Sequence, residues 1–320
     1  MAVTDNAVVT ITFSTALSKN LRSALSRARP FSMTSLASRL PLYASLTRLD
    51  KPIGTLLLLW PTLTALWIAA DGAPKAGLVV VFVLGTFLMR SAGCAVNDAA
   101  DAGYDAQVKR TANRVVARGL VSPREAIAVG ITLAAIAALL LPLLNLAAVR
   151  LAFIAVAIAA TYPLAKRFFP VPQLYLAIAF SFGIPMAFAA VLGTVPAVGW
   201  LLVLANAFWV IAYDTEYAMV DRDDDLRLGV RSSAIFLGRF DVAAVMMSYV
   251  ALVLLLLYIG SLLSAAWPFY VGCATAAGLA CYHYRLIRRR SREGCLRAFR
   301  HNNWVGLAMF AGTAIDYAVR

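Results

Sequence analysis

Apolar residues run through this chain in long blocks, without the alternation of a half-buried strand. The blocks cover residues 53–70, 76–96, 125–144, 146–164, 171–192, 197–213, 240–262, 266–284 and 302–319. Each is roughly 20 residues long, the length of helix that crosses the hydrocarbon of a bilayer. The pattern predicts an all-α, polytopic membrane protein with nine transmembrane helices, in one domain over residues 41–320. Composition agrees. The chain is 62% hydrophobic and 14% charged, against about 25% charged residues in a soluble domain. A very large soluble core is the alternative that the block lengths disfavour.

The connections carry the charge. Seven Lys and Arg precede the first block, up to Lys51. Others cluster at 109–124, at Lys166 and Arg167, at 222–239 and at 285–300, whereas the alternate connections hold only Lys75 and Arg150. This is the positive-inside pattern, and it predicts that both acidic runs described below lie on the cytoplasmic side. The net charge of +13 is thereby accounted for by topology, and a nucleic-acid partner is not expected. Residues 1–40 are rich in Ser, Thr, Ala and Arg. They are expected to form a disordered extension; a mitochondrial presequence, or a start at Met33, would give the same composition. Cys94, Cys273, Cys281 and Cys295 have neither metal-ligand spacing nor the pattern of a disulfide framework.

Nine of the 16 acidic residues fall in two short stretches, 98–105 and 214–225. The first follows the second block and reads NDAADAGYD. Asn97, Asp101 and Asp105 recur every four residues and would share one helix face, with Asp98 beside them. The second ends the sixth block and reads DTEYAMVDRDDD, with Asp214, Asp221 and Asp225 on one predicted face, Asp224 alongside and Tyr217 between. Carboxylates this close repel one another and are costly near lipid, so a cation is expected among them. Oxygen donors suit Mg²⁺. The two runs are expected to face each other across a membrane-embedded cavity with Mg²⁺ between them.

Other candidates surround these. Arg90 lies deep in the second block, two turns before Asn97, and is read as a contact to an anionic substrate or as a structural ion-pair partner. The basic residues of the loop DAQVKRTANRVVARG offer one or two cations for phosphate oxygens. Ser122 and Glu125 have capping-box spacing. Tyr162 and Lys166 are one turn apart at the end of the fourth block. Gly183 and Pro185 interrupt the fifth block, as happens beside a cavity. Trp60, Trp67, Trp267, Tyr270 and Trp304 read as interfacial anchors, and His283 and His301 as interfacial residues.

The segments LDKPIGTLLLLWPT, RSAGCAVNDAAD, VKRTANR, TYPLAKR, IPMAFAA and YDTEYAMVDRDDD resemble the UbiA superfamily of intramembrane prenyltransferases, from about residue 41 to the C-terminus. The resemblance implies nine helices around a laterally open cavity. It also implies Mg²⁺ held by both acidic motifs and transfer of a polyprenyl group from polyprenyl diphosphate to the ring of 4-hydroxybenzoate, for ubiquinone. The motif residues fall on Asn97, Asp101, Asp105, Asp221 and Asp225, with Asp224 beside them as a further metal ligand. The substrate-binding positions fall on Arg114, Tyr162 and Lys166. Lys109, Asp214 and Arg90 are added as substrate contacts, Arg90 for the acceptor carboxylate. The implied setting is the bacterial inner membrane, with a mitochondrial inner membrane as the other possibility. Two positions depart from the family pattern: Ala102 stands where Arg is usual, and Val115 where Pro is usual. Another acceptor such as haem or homogentisate, or a secondary transporter, are the alternative functions. Tail length and oligomeric state are left open.

Overall fold

A computed structural model describes residues 36–320, apart from the side chains of residues 36, 37 and 164–167. Among the described residues the chain is helical, with no strand. Helix α1 spans Leu36–Leu46, α2 Ile53–Ala69, α3 Ala76–Ala100, α4 Ala102–Asp105, α5 Pro123–Ala138, α6 Leu146–Phe168 and α7 Pro172–Ser181. Then follow α8 Gly183–Leu192, α9 Ala197–Leu228, α10 Ser233–Leu237, α11 Asp241–Leu262, α12 Trp267–Ile287 and α13 Arg292–Val319. Helix α1 begins inside the segment expected to be a disordered extension; residues 1–35 lie outside the described residues.

Every predicted block lies on a helix, and the details differ. Six stretches are long and apolar enough to cross a membrane: Ala76–Ala100, Pro123–Leu143, Leu146–Pro163, Pro172–Leu192, Ala197–Leu228 and Ser233–Leu262. Helix α2 is apolar but has 17 residues. Helices α12 and α13 are 21 and 28 residues long and carry more polar side chains. Among the described residues, length and apolarity alone thus identify six candidate crossings, against the nine helices expected. Leu139, Met247, Leu254 and other large apolar side chains are well exposed. In water such a surface would drive aggregation; in a bilayer it is the lipid contact.

The chain forms two compact units. The first holds residues up to Asp50 and Ser91–Leu133. Its core is Leu46, Ala95, Val115, Val116, Val121 and Ala126, so the loop after α4 is tied down by valines. A Cβ on Gly130 would lie 2.7 Å from Val96, which brings α5 close against the end of α3. The Ser122 hydroxyl accepts from the Glu125 amide at 3.2 Å, one half of the predicted capping box. The other half is absent because the Glu125 carboxylate turns instead to Arg39 and to the Tyr43 hydroxyl, 2.6 Å away.

The second unit holds Lys51–Arg90 and Ala134–Arg320. Its core is built from α2, α8, α9, α11, α12 and α13 around Trp209, Tyr213, Tyr249 and Phe188. Small residues set the helix approaches. A Cβ on Gly183 would sit 2.1 Å from Thr62 Oγ1, and one on Gly272 would sit 2.7 Å from the Ala308 carbonyl. Gly183 with Pro185 also ends α7 and starts α8, which is the predicted interruption of the fifth block. Trp60 and Trp67 are not free belt residues. Both pack on Phe310, and Trp60 Nε1 donates to Asn303 Oδ1 at 2.9 Å.

Replacing Gly272 by Leu should push α12 from α13 and cost about 1–3 kcal/mol. Thermal unfolding in detergent micelles measures this, with Gly278→Leu on the same helix as control, since a Cβ there meets nothing within 4 Å.

Candidate active site

In the first unit α3 ends at Ala100, and Asp101 (φ −97°, ψ 5°) leads into the single turn of α4. Gly103 inside that turn weakens the helix. Asn97, Asp101 and Asp105 are therefore not on one unbroken helix, as their spacing predicts. The i to i−4 bonds survive nonetheless: the Asp101 amide donates to the Asn97 carbonyl and the Asp105 amide to the Asp101 carbonyl, each at 2.9 Å. The three side chains remain about one turn apart.

Asp98, which is 1% exposed, is paired with two arginines. Arg48 Nη2 donates to both its oxygens at 2.7 Å, and Arg114 Nη1 lies 3.0 Å from Oδ1. Arg48 itself sits in the left-handed region (φ 62°), an unfavourable conformation for a residue with a Cβ. No local spacing reveals Arg48, because its partner lies 50 residues away. Arg114 also donates to Asp105 Oδ2 at 2.8 Å, and Asn97 Nδ2 donates to Asp101 Oδ2 at 3.1 Å. Arg114 thus bridges two carboxylates. Asp105 is buried. Burial pushes its carboxyl above the usual range, the Arg114 guanidinium pulls it back, and the Asp101 charge adds to the rise. Lys109 is exposed on the following loop. Both departures from the family pattern have a packing role: Val115 is a core residue and Ala102 packs against the same cluster.

In the second unit α9 runs unbroken through the second acidic stretch, so Asp214, Asp221 and Asp225 do share one helix, as predicted. It ends at Gly229 (φ 67°), whose amide donates to the Asp225 carbonyl. Asp221 and Asp224 are buried, and Asp214 and Asp225 half-buried. Arg292, at the start of α13, donates to Asp224 Oδ2 at 3.0 Å. Arg292 belongs to the basic connection 285–300, and no local spacing reveals this contact, 68 residues away. Tyr217 packs on Phe299 with ring centroids 4.4 Å apart. Arg222 leans towards Asp241, 4.0 Å away, and Arg231 donates to the Phe168 carbonyl at 2.9 Å.

Arg90 sits half-buried with its guanidinium 5.8 Å from the Phe180 ring centre. A Cβ on Gly54 would come within 2.5 Å of it. Its buried Nε has no hydrogen-bond partner. The ion-pair partner considered for it in the sequence is not seen among the described residues. Tyr162 is half-buried beside Tyr175. Lys166 lies in α6, and its side chain is outside the described residues.

Every ligand that the two motifs offer is an oxygen, a set suited to a hard divalent cation. Among the described residues, no three His, Cys, Asp or Glu are already gathered as a metal site. Arg114 and Arg292 stand as counter-charges on the same carboxylates.

The UbiA prenyltransferase family matches residues 58–307. The chain is 59% identical over 286 residues to a 4-hydroxybenzoate octaprenyltransferase of Cupriavidus necator, covering 89% of this chain and 100% of the relative. It is 56% identical over 284 residues to a protein of the same name from Burkholderia pseudomallei, covering 89% and 99%. Among solved structures, the fold is similar to an apo UbiA homologue from Aeropyrum pernix K1. The TM-score is 0.69 at 29% identity, over 81% of this chain and 97% of that one. It is also similar to a UbiA homologue from Archaeoglobus fulgidus bound to GPP and Mg²⁺. There the TM-score is 0.68 at 17% identity, over 87% and 99%.

Because the Asp105 carboxyl is raised in the fold, the metal-free folded protein holds a proton there that the unfolded chain releases near 3.8. Its contribution to stability is fully present below that pH and is lost as pH rises through the higher folded value. Thermal unfolding in chelator should therefore show a decline over that window, and Asp105→Asn should flatten it.

Proposed function

The chain belongs to the UbiA prenyltransferase family, and on that premise we propose that it transfers a polyprenyl group from polyprenyl diphosphate to carbon 3 of 4-hydroxybenzoate. Diphosphate is released, and the product is a ubiquinone precursor. The observation that carries this reading is the 56–59% identity, over nearly the whole relative, to proteins named 4-hydroxybenzoate octaprenyltransferase. Those names favour an octaprenyl donor, and they favour 4-hydroxybenzoate over haem or homogentisate as acceptor. The excess of cations in alternate connections supports an inner-membrane protein with both acidic motifs on the cytoplasmic side.

The donor has an oily tail and a head whose charge must be neutralised. Asn97, Asp101 and Asp105 of the first motif and Asp221, Asp224 and Asp225 of the second are the residues that would hold Mg²⁺. Bound there, Mg²⁺ supplies positive charge that stabilises the diphosphate as a leaving group. Arg114 adds a planar fork for phosphate oxygens and Lys109 a mobile charge at the same loop. Tyr162, Lys166 and Asp214 complete the substrate contacts.

As the allylic C–O bond breaks, its electron pair leaves with diphosphate. The ring carbon ortho to the hydroxyl supplies the pair for the new C–C bond, and the ring then loses its proton to a carboxylate or to diphosphate. Aromatic faces such as Tyr217 can shelter the allylic cation. Arg90 is assigned to the acceptor carboxylate. Its unpartnered Nε and its seat over Phe180 are what a guanidinium waiting for an anion would present.

Asp101→Ala or Asp221→Ala should lower product formation by at least about 100-fold while the protein still inserts. Membranes assayed with labelled 4-hydroxybenzoate and octaprenyl diphosphate, with and without Mg²⁺, measure this; turnover independent of Mg²⁺ would sink the metal assignment. Arg90→Leu should raise the KM for 4-hydroxybenzoate far more than that for the donor. Equal changes in both would remove Arg90 from the acceptor site.

A further inference from the structure

On the far side of α9 from its acidic face lies a cluster of buried polar side chains that the reaction does not use. Glu216, His283 and Asn302 are fully buried at 0% exposure. Tyr249 and Trp209 are buried with them. The five come from α9, α11, α12 and α13, all within the second unit.

The orientation of Asn302 is set by a donor that cannot accept. Trp209 Nε1 donates to Asn302 Oδ1 at 2.7 Å. Asn302 Nδ2 then donates to Glu216 Oε2 at 2.8 Å and to the Ala298 carbonyl at 3.1 Å. The Tyr249 hydroxyl lies 2.8 Å from Asn302 Oδ1, and only Tyr249 can supply the proton for that bond. Its oxygen also lies 3.1 Å from Glu216 Oε1 and 2.8 Å from His283 Nδ1. With its one proton used, Tyr249 must accept from both. His283 can donate from Nδ1, and its Nε2 then accepts from His301 Nδ1 at 3.0 Å. Glu216 can donate only as the neutral acid. An ionised Glu216 would set two proton-free oxygens face to face in a site closed to solvent. The direct distance to His283 Nδ1, 3.6 Å, is too long for a hydrogen bond that would repay the charge.

We propose that Glu216, held as a neutral acid, is a positioning residue: it locks α9 to α11, α12 and α13 in one rotation and so fixes the direction in which the face carrying Asp214, Asp221 and Asp225 points. Apolar side chains packed in lipid leave helix rotation loosely specified, whereas a directional polar cluster specifies it. Glu216 precedes Asp221 by five residues, about 140° around the helix, and precedes Asp225 by nine, about half a turn away in azimuth. Turning α9 by one residue would leave Glu216, Asn302 and Trp209 unpaired together.

This role rests on the prenyl-transfer reading only for its activity assay. The test uses full-length protein in an ester-free detergent, assayed with 4-hydroxybenzoate and octaprenyl diphosphate and examined by infrared spectroscopy. Glu216→Gln should keep kcat and both KM values, because the amide nitrogen can donate to Tyr249 and the amide oxygen can accept from Asn302. Glu216→Ala should lower kcat about 10- to 100-fold. Should that variant fail to accumulate, Tyr249→Phe, which removes one oxygen and little volume, carries the same expectation. The native protein should show a carboxylic-acid carbonyl band that Glu216→Gln lacks.

A Gln variant as impaired as the Ala variant would mean that Glu216 works as an ion or moves a proton, and would overturn the proposal. So would absence of the band, or native kcat in both the Ala and Phe variants. A native protein inactive on 4-hydroxybenzoate would sink the acceptor reading alone. Positioning would then be judged by Mg²⁺-dependent binding of octaprenyl diphosphate, which Glu216→Ala should weaken and Glu216→Gln should not; any other pattern overturns it.

Discussion

The constraint on which this structure depends is that charge placed beside hydrocarbon must be matched on the spot. An unpaired carboxylate in such a place costs several kcal/mol or takes up a proton. The chain meets the constraint in two ways. Asp98, Asp105, Asp224 and Asp241 are buried and each touches an arginine: Arg48 and Arg114 on the first, Arg114 on the second, Arg292 on the third, and Arg290 at 2.6 Å on the fourth. Glu216 is matched by hydrogen bonds instead. The arginine pairs lie at the ends of helices and in loops, where water can reach the guanidinium. The hydrogen-bonded cluster lies among helices, where water cannot help.

The arginines have a second consequence. Carboxylates that hold a divalent ion, as proposed for the two motifs, would repel one another whenever the ion is absent. Arg114, shared between Asp98 and Asp105, and Arg292 on Asp224 hold that repulsion down. The same guanidiniums carry the fork geometry that phosphate oxygens accept. Groups that hold the carboxylates together are thus also suited to take up anionic oxygens.

Much of the fold was legible in the sequence, because the length and apolarity of the blocks follow from the thickness of a bilayer. The extended α9 and the interruption at Gly183 were legible for the same kind of reason: a face spacing and a missing backbone donor are local. What was not legible depended on distance along the chain. Arg48 and Arg292 find their carboxylates 50 and 68 residues away, and no spacing announces such a partner. The break at Asp101 was missed because the four-residue recurrence outweighed the helix-weakening Gly103. The packing of Trp60 and Trp67 on Phe310 was not legible either, because an indole at a membrane boundary and one packed on another ring look alike in sequence. The role of Val115 became clear only once the loop was seen to have a core of its own. Among the acids near the second motif, Glu216 looks like one more charge until its neighbours are known.

Helix α9 has 32 residues, which at 1.5 Å each makes a rod about 48 Å long. The hydrocarbon layer is about 30 Å thick. Its charged residues all fall in the second half, from Asp214 onward, so the surplus of roughly 18 Å belongs to that end. A rod seated that way would carry Asp221, Asp224 and Asp225 beyond the oil into the zone of headgroups and water without a flexible joint. A lipid that keeps its tail among the chains of the bilayer would meet this motif at the depth where its own polar head already floats.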